Sequence, residues 1–172
     1  GSGSGTAALP NIDYGAGGNF GGVTLIDAAA NETVPITALD SMPLEACHLI
    51  KIDVEGMEYE VLRGAEDTIA RHRPALYIEN DHQENSARLI THLLAADYRL
   101  FWHRPPLYNP DNFFANGDNE FGELLSQNMF CLPRESAFEV SGLVDVDRMA
   151  GVLESVSTDV AADVLRGIDW AD

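Results

Sequence analysis

At 172 residues, with 45% hydrophobic and 8% aromatic side chains, the chain is sized for one domain with a core of its own. Its 28 acidic residues against 10 basic ones leave a formal charge of −18, which aids solubility and has the wrong sign for attraction to nucleic acid phosphates or anionic lipid surfaces. No apolar run is long enough for a membrane helix, no secretory signal opens the sequence, and the two cysteines, Cys47 and Cys131, lack metal-type spacing, so the expectation is a cytoplasmic protein with reduced, buried thiols.

Residues 1–5, GSGSG, have the composition of a flexible linker or engineered scar and are set aside, leaving residues 6–172 as a single domain. Thr6 to Gly18 is rich in Gly, Pro and Asn and reads as loop. Gly22–Ala28 and Glu32–Ala38 are short strand candidates separated by Asn31, and Leu39-Asp40 leads into a turn. The glycine cluster GAGGNFGG, Gly15 to Gly22, follows no strand-length apolar run, so it reads as the loop before a later strand rather than as a cofactor cradle.

Residues His48 to Asp81 form the most informative stretch. His48–Asp53 predicts a strand buried on both faces, because Leu49, Ile50 and Ile52 are apolar and mostly branched. A helix is expected over Met57–His72, where Met57, Val61, Leu62, Ala65 and Ile69 recur at helical spacing. Glu58 and Glu60 begin it, Arg71, His72 and Arg73 end it as the helix dipole favours, and Pro74 stops it. Ala75–Ile78 is the next strand. A right-handed parallel crossover would bring Asp53, Glu55, Glu79 and Asn80 to one carboxyl edge, where open α/β sheets bind ligands. Lys51, the only lysine, shares a strand face with Leu49 and Asp53 and calls for a carboxylate partner.

A second helix, Asn85–Ala96, carries the stripe Leu89, Ile90, Leu93 and Leu94, and two further strands are expected at Tyr98–Trp102 and Asn128–Leu132. Between those strands lie about 25 residues, His103 to Gln127, with little periodicity, the mark of a lid or binding loop. Tyr108, Asn109 and Asn112, with Phe113, Phe114 and Asn116, would suit a polar substrate such as a sugar; the alternative is that the aromatics pin the loop and the amides cap its turns. The tail predicts acidic helices at Val146–Val156 and Thr158–Ile168 whose apolar stripes pack on the domain or make a homodimer contact.

The string IKIDVEGMEYEVLRGA, followed by a proline and a strand ending in glutamate, resembles the signature of the FkbM-type methyltransferases, and the similarity extends from NFGGVTL at Asn19 to SQNMFCLP ending at Pro133. The resemblance implies a Rossmann-like class I methyltransferase sheet, mostly parallel with an antiparallel edge strand. It also implies S-adenosylmethionine as cofactor and a sugar or natural-product hydroxyl as acceptor. The glycine-rich turn and the acid-ended second strand of such folds have no counterpart in the pattern. The sequence therefore reads as a partial domain, expected to bind the cofactor weakly by itself, and a non-catalytic fragment or binding module is the alternative.

Two schemes suit the carboxyl edge. Asp53 or Glu79 takes the proton from a substrate hydroxyl as general base; or, by similarity to catechol-type methyltransferases, Asp53, Glu79 and Asn80 bind Mg²⁺, which lowers the hydroxyl pKa. Glu55 is a candidate substrate contact, with helix capping as the other reading for it and for Asp53. His103 is either a base or a turn residue.

Overall fold

A computed structural model describes residues 1–9, 15 and 32–146. The strand expected at Gly22–Ala28, most of the glycine cluster and both tail helices beyond Val146 lie outside the described residues. The chain divides into two compact units, Gly1–Pro74 and Ala75–Asp172. It is a mixed α/β protein, and among the described residues no helix is long and apolar enough to cross a membrane.

In the first unit, β1 (Gly5–Leu9) pairs antiparallel with β2 (Glu32–Ile36), in register from Gly5 opposite Ile36 to Leu9 opposite Glu32. The expected loop at Thr6 is therefore strand at its start. Its partner lies more than twenty residues away, and a remote ladder leaves no mark on local composition. β3 (Leu49–Ile52) falls inside the expected strand, yet it is not buried on both faces: Ile52 is 2% exposed whereas Leu49 is 60% exposed. The run of branched residues marks a strand but does not say how much of it is covered.

The single helix expected over Met57–His72 is two, α1 (Glu58–Arg63) and α2 (Glu66–His72). Gly64 ends the first and Ala65 opens the second. Asp40, in a 3₁₀ turn at Leu39–Ser41, holds the break open. Its backbone N–H donates to the Gly64 carbonyl at 2.9 Å, and its carboxylate accepts from the N–H groups of Asp67 at 3.1 Å and Thr68 at 2.8 Å. A remote carboxylate thus satisfies first-turn donors of α2 that a continuous helix would have paired internally. Partial desolvation, the largest influence on the Asp40 carboxyl, pushes its pKa up. The Thr68 side chain, the Thr68 and Asp67 N–H groups and the Arg71 charge together outweigh that, holding it below its ordinary value. At the far end Arg73 adopts φ 48°, its N–H caps the Ile69 carbonyl at 3.0 Å, and Pro74 follows, as expected.

In the second unit, β4 (Ala75–Glu79), α3 (Gln83–Ala95), β5 (Tyr98–His103), β6 (Asn128–Pro133) and β7 (Val144–Asp145) follow one another. Here the sheet order is β4-β6-β5-β7, and every pairing in it is antiparallel. This corrects the expectation of a mostly parallel sheet whose antiparallel strand is at the edge. β6 lies between β4 and β5 and is antiparallel to both, so those two run parallel with a strand between them. The composition of β6 is that of an interior strand, since only Phe130 of its six residues is not buried. One face of the sheet carries Leu76, Ile78, Leu100, Trp102, Met129 and Cys131, all buried. Each such side chain removed from water contributes about 1.5–3 kcal/mol. Burial also pushes the Cys131 thiol far above its ordinary pKa; it and the half-buried Cys47 are free cysteines. α3 packs on β5 and buries Leu89, Ile90 and Leu93.

Candidate active site

Asp53 emerges from the end of β3, one residue past buried Ile52. Lys51 finds its carboxylate there, with Nζ 2.5 Å from Asp53 Oδ2. The two side chains are 60% and 41% exposed, so the pair is worth less than about 1 kcal/mol, and the Asp53 carboxylate stays open to solvent. Next the chain turns through the left-handed region twice, at Glu55 with φ 52° and Gly56 with φ 90°. For glutamate that conformation carries a penalty of about 1–2 kcal/mol, so this backbone must be held in place.

Glu58 holds it. Only 4% exposed, it reaches back so that Oε1 accepts from Gly56 N at 3.1 Å and Val54 N at 3.2 Å. The residue preceding α1 is Met57, which offers no capping side chain. Helix capping is the reading considered for Asp53 and Glu55; the turn ahead of the helix is capped by Glu58, and carboxylate oxygens of Asp53 and Glu55 lie within 4.8 Å of each other. Reading Glu58 only as a dipole partner overlooked this; the clue was a first-turn carboxylate two residues after Glu55-Gly56.

The second unit builds a row of its own. Register sets Glu79 opposite Asn128 and Asn128 opposite His103, so the three side chains share one sheet face across β4, β6 and β5. With one strand between them, Glu79 and His103 are about 10 Å apart along the row. His103 is the last residue of β5, not part of a turn. Its Nδ1 is hydrogen bonded to the Tyr77 hydroxyl at 2.8 Å, and the two rings meet edge-on with centroids 5.8 Å apart. Asn128, 7% exposed, donates through Nδ2 to Ser126 Oγ at 2.7 Å. Asn80 takes another course: it is 4% exposed, its N–H extends the ladder to the Gln127 carbonyl at 2.8 Å, and Nδ2 contacts Met129 Sδ at 3.3 Å. Tyr77 and Asn128 were missed by sequence reasoning. Period two in β4 ties Tyr77 to Glu79, but only the register brings either to His103.

The long connection is internally ordered. Its stem zips through Leu107 N to the Leu124 carbonyl at 3.0 Å, Ser126 N to the Pro105 carbonyl at 2.9 Å and a bridge between Pro106 and Leu125. Beyond it, Asn109 Oδ1 accepts from Asp111 N at 3.0 Å, Asn112 Oδ1 accepts from Asn116 N at 3.0 Å, and Tyr108 donates its hydroxyl proton to the Asn116 carbonyl at 3.0 Å. The polar groups assigned to substrate thus cap the loop's own turns. Of the aromatics, Phe113 and Phe114 do not pin it, being 95% and 86% exposed.

The family model of the methyltransferase FkbM domain matches residues 2–100. No curated protein and no solved structure matches the chain. The matched stretch contains Asp53, Glu55, Glu58, Tyr77, Glu79 and Asn80 and ends within β5, so His103, the long loop and Asn128 follow it.

Proposed function

The chain belongs to the FkbM methyltransferase family, and from that premise we propose that it methylates a hydroxyl oxygen of a small acceptor such as a sugar or natural product, with S-adenosylmethionine as donor. When bound, that cofactor supplies a sulfonium methyl group. The chemistry of the Asp53–Glu55 turn fits a cation of this kind, because two carboxylates with oxygens within 4.8 Å of each other outnumber the single positive charge of Lys51 beside Asp53, and these two residues would hold it. A Rossmann-like class I sheet is supported by β4 and β5 running parallel on either side of β6 with α3 as their connection.

The observation that carries oxygen as the acceptor atom is the row Glu79, Asn128 and His103. A carboxylate and an imidazole on one face are the groups that take a hydroxyl proton, and buried Asn128 between them fixes their spacing. Glu79, or Asp53 in the first unit, acts as the base; the Tyr77 hydroxyl fixes the imidazole plane of His103. Mg²⁺ activation is the competing scheme. It has less support, because Asn80, one of its three assigned ligands, is buried with its amide against Met129. The test is transfer of labelled methyl from S-adenosylmethionine to a panel of sugars and polyols, with and without excess EDTA. Label on hydroxyl oxygen, undiminished by EDTA, is expected. Label only on nitrogen or carbon acceptors would reject oxygen transfer, and loss in EDTA restored by Mg²⁺ would reinstate the metal scheme.

A further inference from the structure

The tip of the long loop has a feature that methyl transfer does not use. Phe113 and Phe114 stand 95% and 86% exposed, ring against ring at 5.3 Å and 85°, in the turn that the Asn112–Asn116 hydrogen bonds close. Burying one phenylalanine is worth about 1.5–3 kcal/mol, so the fold leaves a sizeable stabilisation unused at two adjacent positions. The exposure does not come from a slack backbone. Asn109, Asn112, Asn116 and Asn119 each bond to loop backbone, and Leu107 and Leu124 join the two sides of the stem.

We propose that this loop is a preformed docking knob, whose Phe113–Phe114 pair inserts into an apolar recess rimmed by lysine or arginine on a partner protein. Shape selects a protein: small-molecule sites are concave, whereas here the rings protrude and meet edge to face. Charge selects the rim. Asp111, Asp118, Glu120 and Glu123 are all exposed, and no Lys, Arg or His occurs from Pro105 to Gln127. The same charge, within a total of −18, repels a second copy of this chain and an anionic bilayer. Aromatic anchors on an ordered loop bind with little further loss of conformational freedom.

The full chain is titrated with a fluorescent amphipathic helical peptide of leucine and lysine, whose apolar stripe flanked by cations is the simplest form of such a surface, and with a glutamate-for-lysine control. Binding of the lysine peptide alone is expected, weakening with salt. Phe113→Ser with Phe114→Ser should weaken it by about tenfold or more, as should joint neutralisation of Asp111, Asp118, Glu120 and Glu123 to their amides. Neither variant should change the thermal midpoint, because all six side chains are exposed. Four results would each overturn the proposal: equal binding by wild type and the serine variant, a lowered midpoint in that variant, a Phe-dependent dimer in sedimentation, or Phe-dependent binding to phosphatidylcholine vesicles.

Discussion

The turn from Asp53 to Glu58 and the loop from Pro105 to Ser126 solve the same problem with different side chains. Each must satisfy backbone N–H groups that belong to no regular ladder. The short turn does so with one buried carboxylate, Glu58, which accepts from two N–H groups and leaves Asp53 and Glu55 beside each other. The long loop distributes the task over four asparagines and leaves two phenylalanines in water. In either case a polar group occupied by the chain's own backbone has less to offer a ligand. Tyr108, Asn109 and Asn112 are occupied in this way in the long loop, as Glu58 is in the turn.

The largest effect that would break this comparison is at Asp53. Asp53→Asn keeps the size and the hydrogen-bonding oxygen, weakens an exposed ion pair with Lys51, and should fold with nearly unchanged stability. Turnover of the active enzyme should fall by roughly 10²-fold or more, the scale for losing a positioned acid–base group. Full kcat in the Asp53→Asn enzyme would place Asp53 among the structural residues and move the base to Glu79.

Next in size is Glu58→Ala, which strips two backbone donors of their acceptor at a nearly buried position and should destabilise by about 1–3 kcal/mol in urea unfolding. Glu58→Gln retains a carbonyl acceptor and should lose less. Asn112→Ala in the long loop provides the contrast. Its N–H and carbonyl partners are exposed and water replaces them, so about 0.5–1 kcal/mol is expected. Equal losses at the two sites would mean that burial does not distinguish them.

Much of this architecture was legible in the sequence where the signal was local. Branched residues announced β3 and β4, the Leu89–Leu93 stripe announced α3, and Arg73-Pro74 announced the end of α2. What was lost depended on partners remote in sequence. The break between α1 and α2 rests on Asp40, and β1 rests on β2. The place of β6 between β4 and β5 rests on a ladder that no periodicity reports. The candidate site divides the same way. Asp53 and Glu79 were visible at strand ends, while the alignment of Glu79 with Asn128 and His103, and the Tyr77 contact, follow from register alone.

Asp40 offers the smallest and most specific test, because it serves α2 as Glu58 serves its turn, but from 27 residues away and in an exposed position. Asp40→Ala removes the acceptor for Asp67 N and Thr68 N and should cost about 0.5–1 kcal/mol, the range for an exposed helix cap. Asp40→Asn keeps an oxygen acceptor and should cost less. The carboxyl is held below its ordinary value of 3.8, so the charge-dependent part of its contribution is complete above that value and fades as pH falls through it toward the lower folded value. The gap between wild type and Asp40→Asn, measured by urea unfolding across a pH series, should therefore be constant near neutrality and close on acidification below 3.8. A gap that widens there would mean that desolvation, not the hydrogen bonds of α2, governs this carboxylate, and the break between α1 and α2 would need another cause.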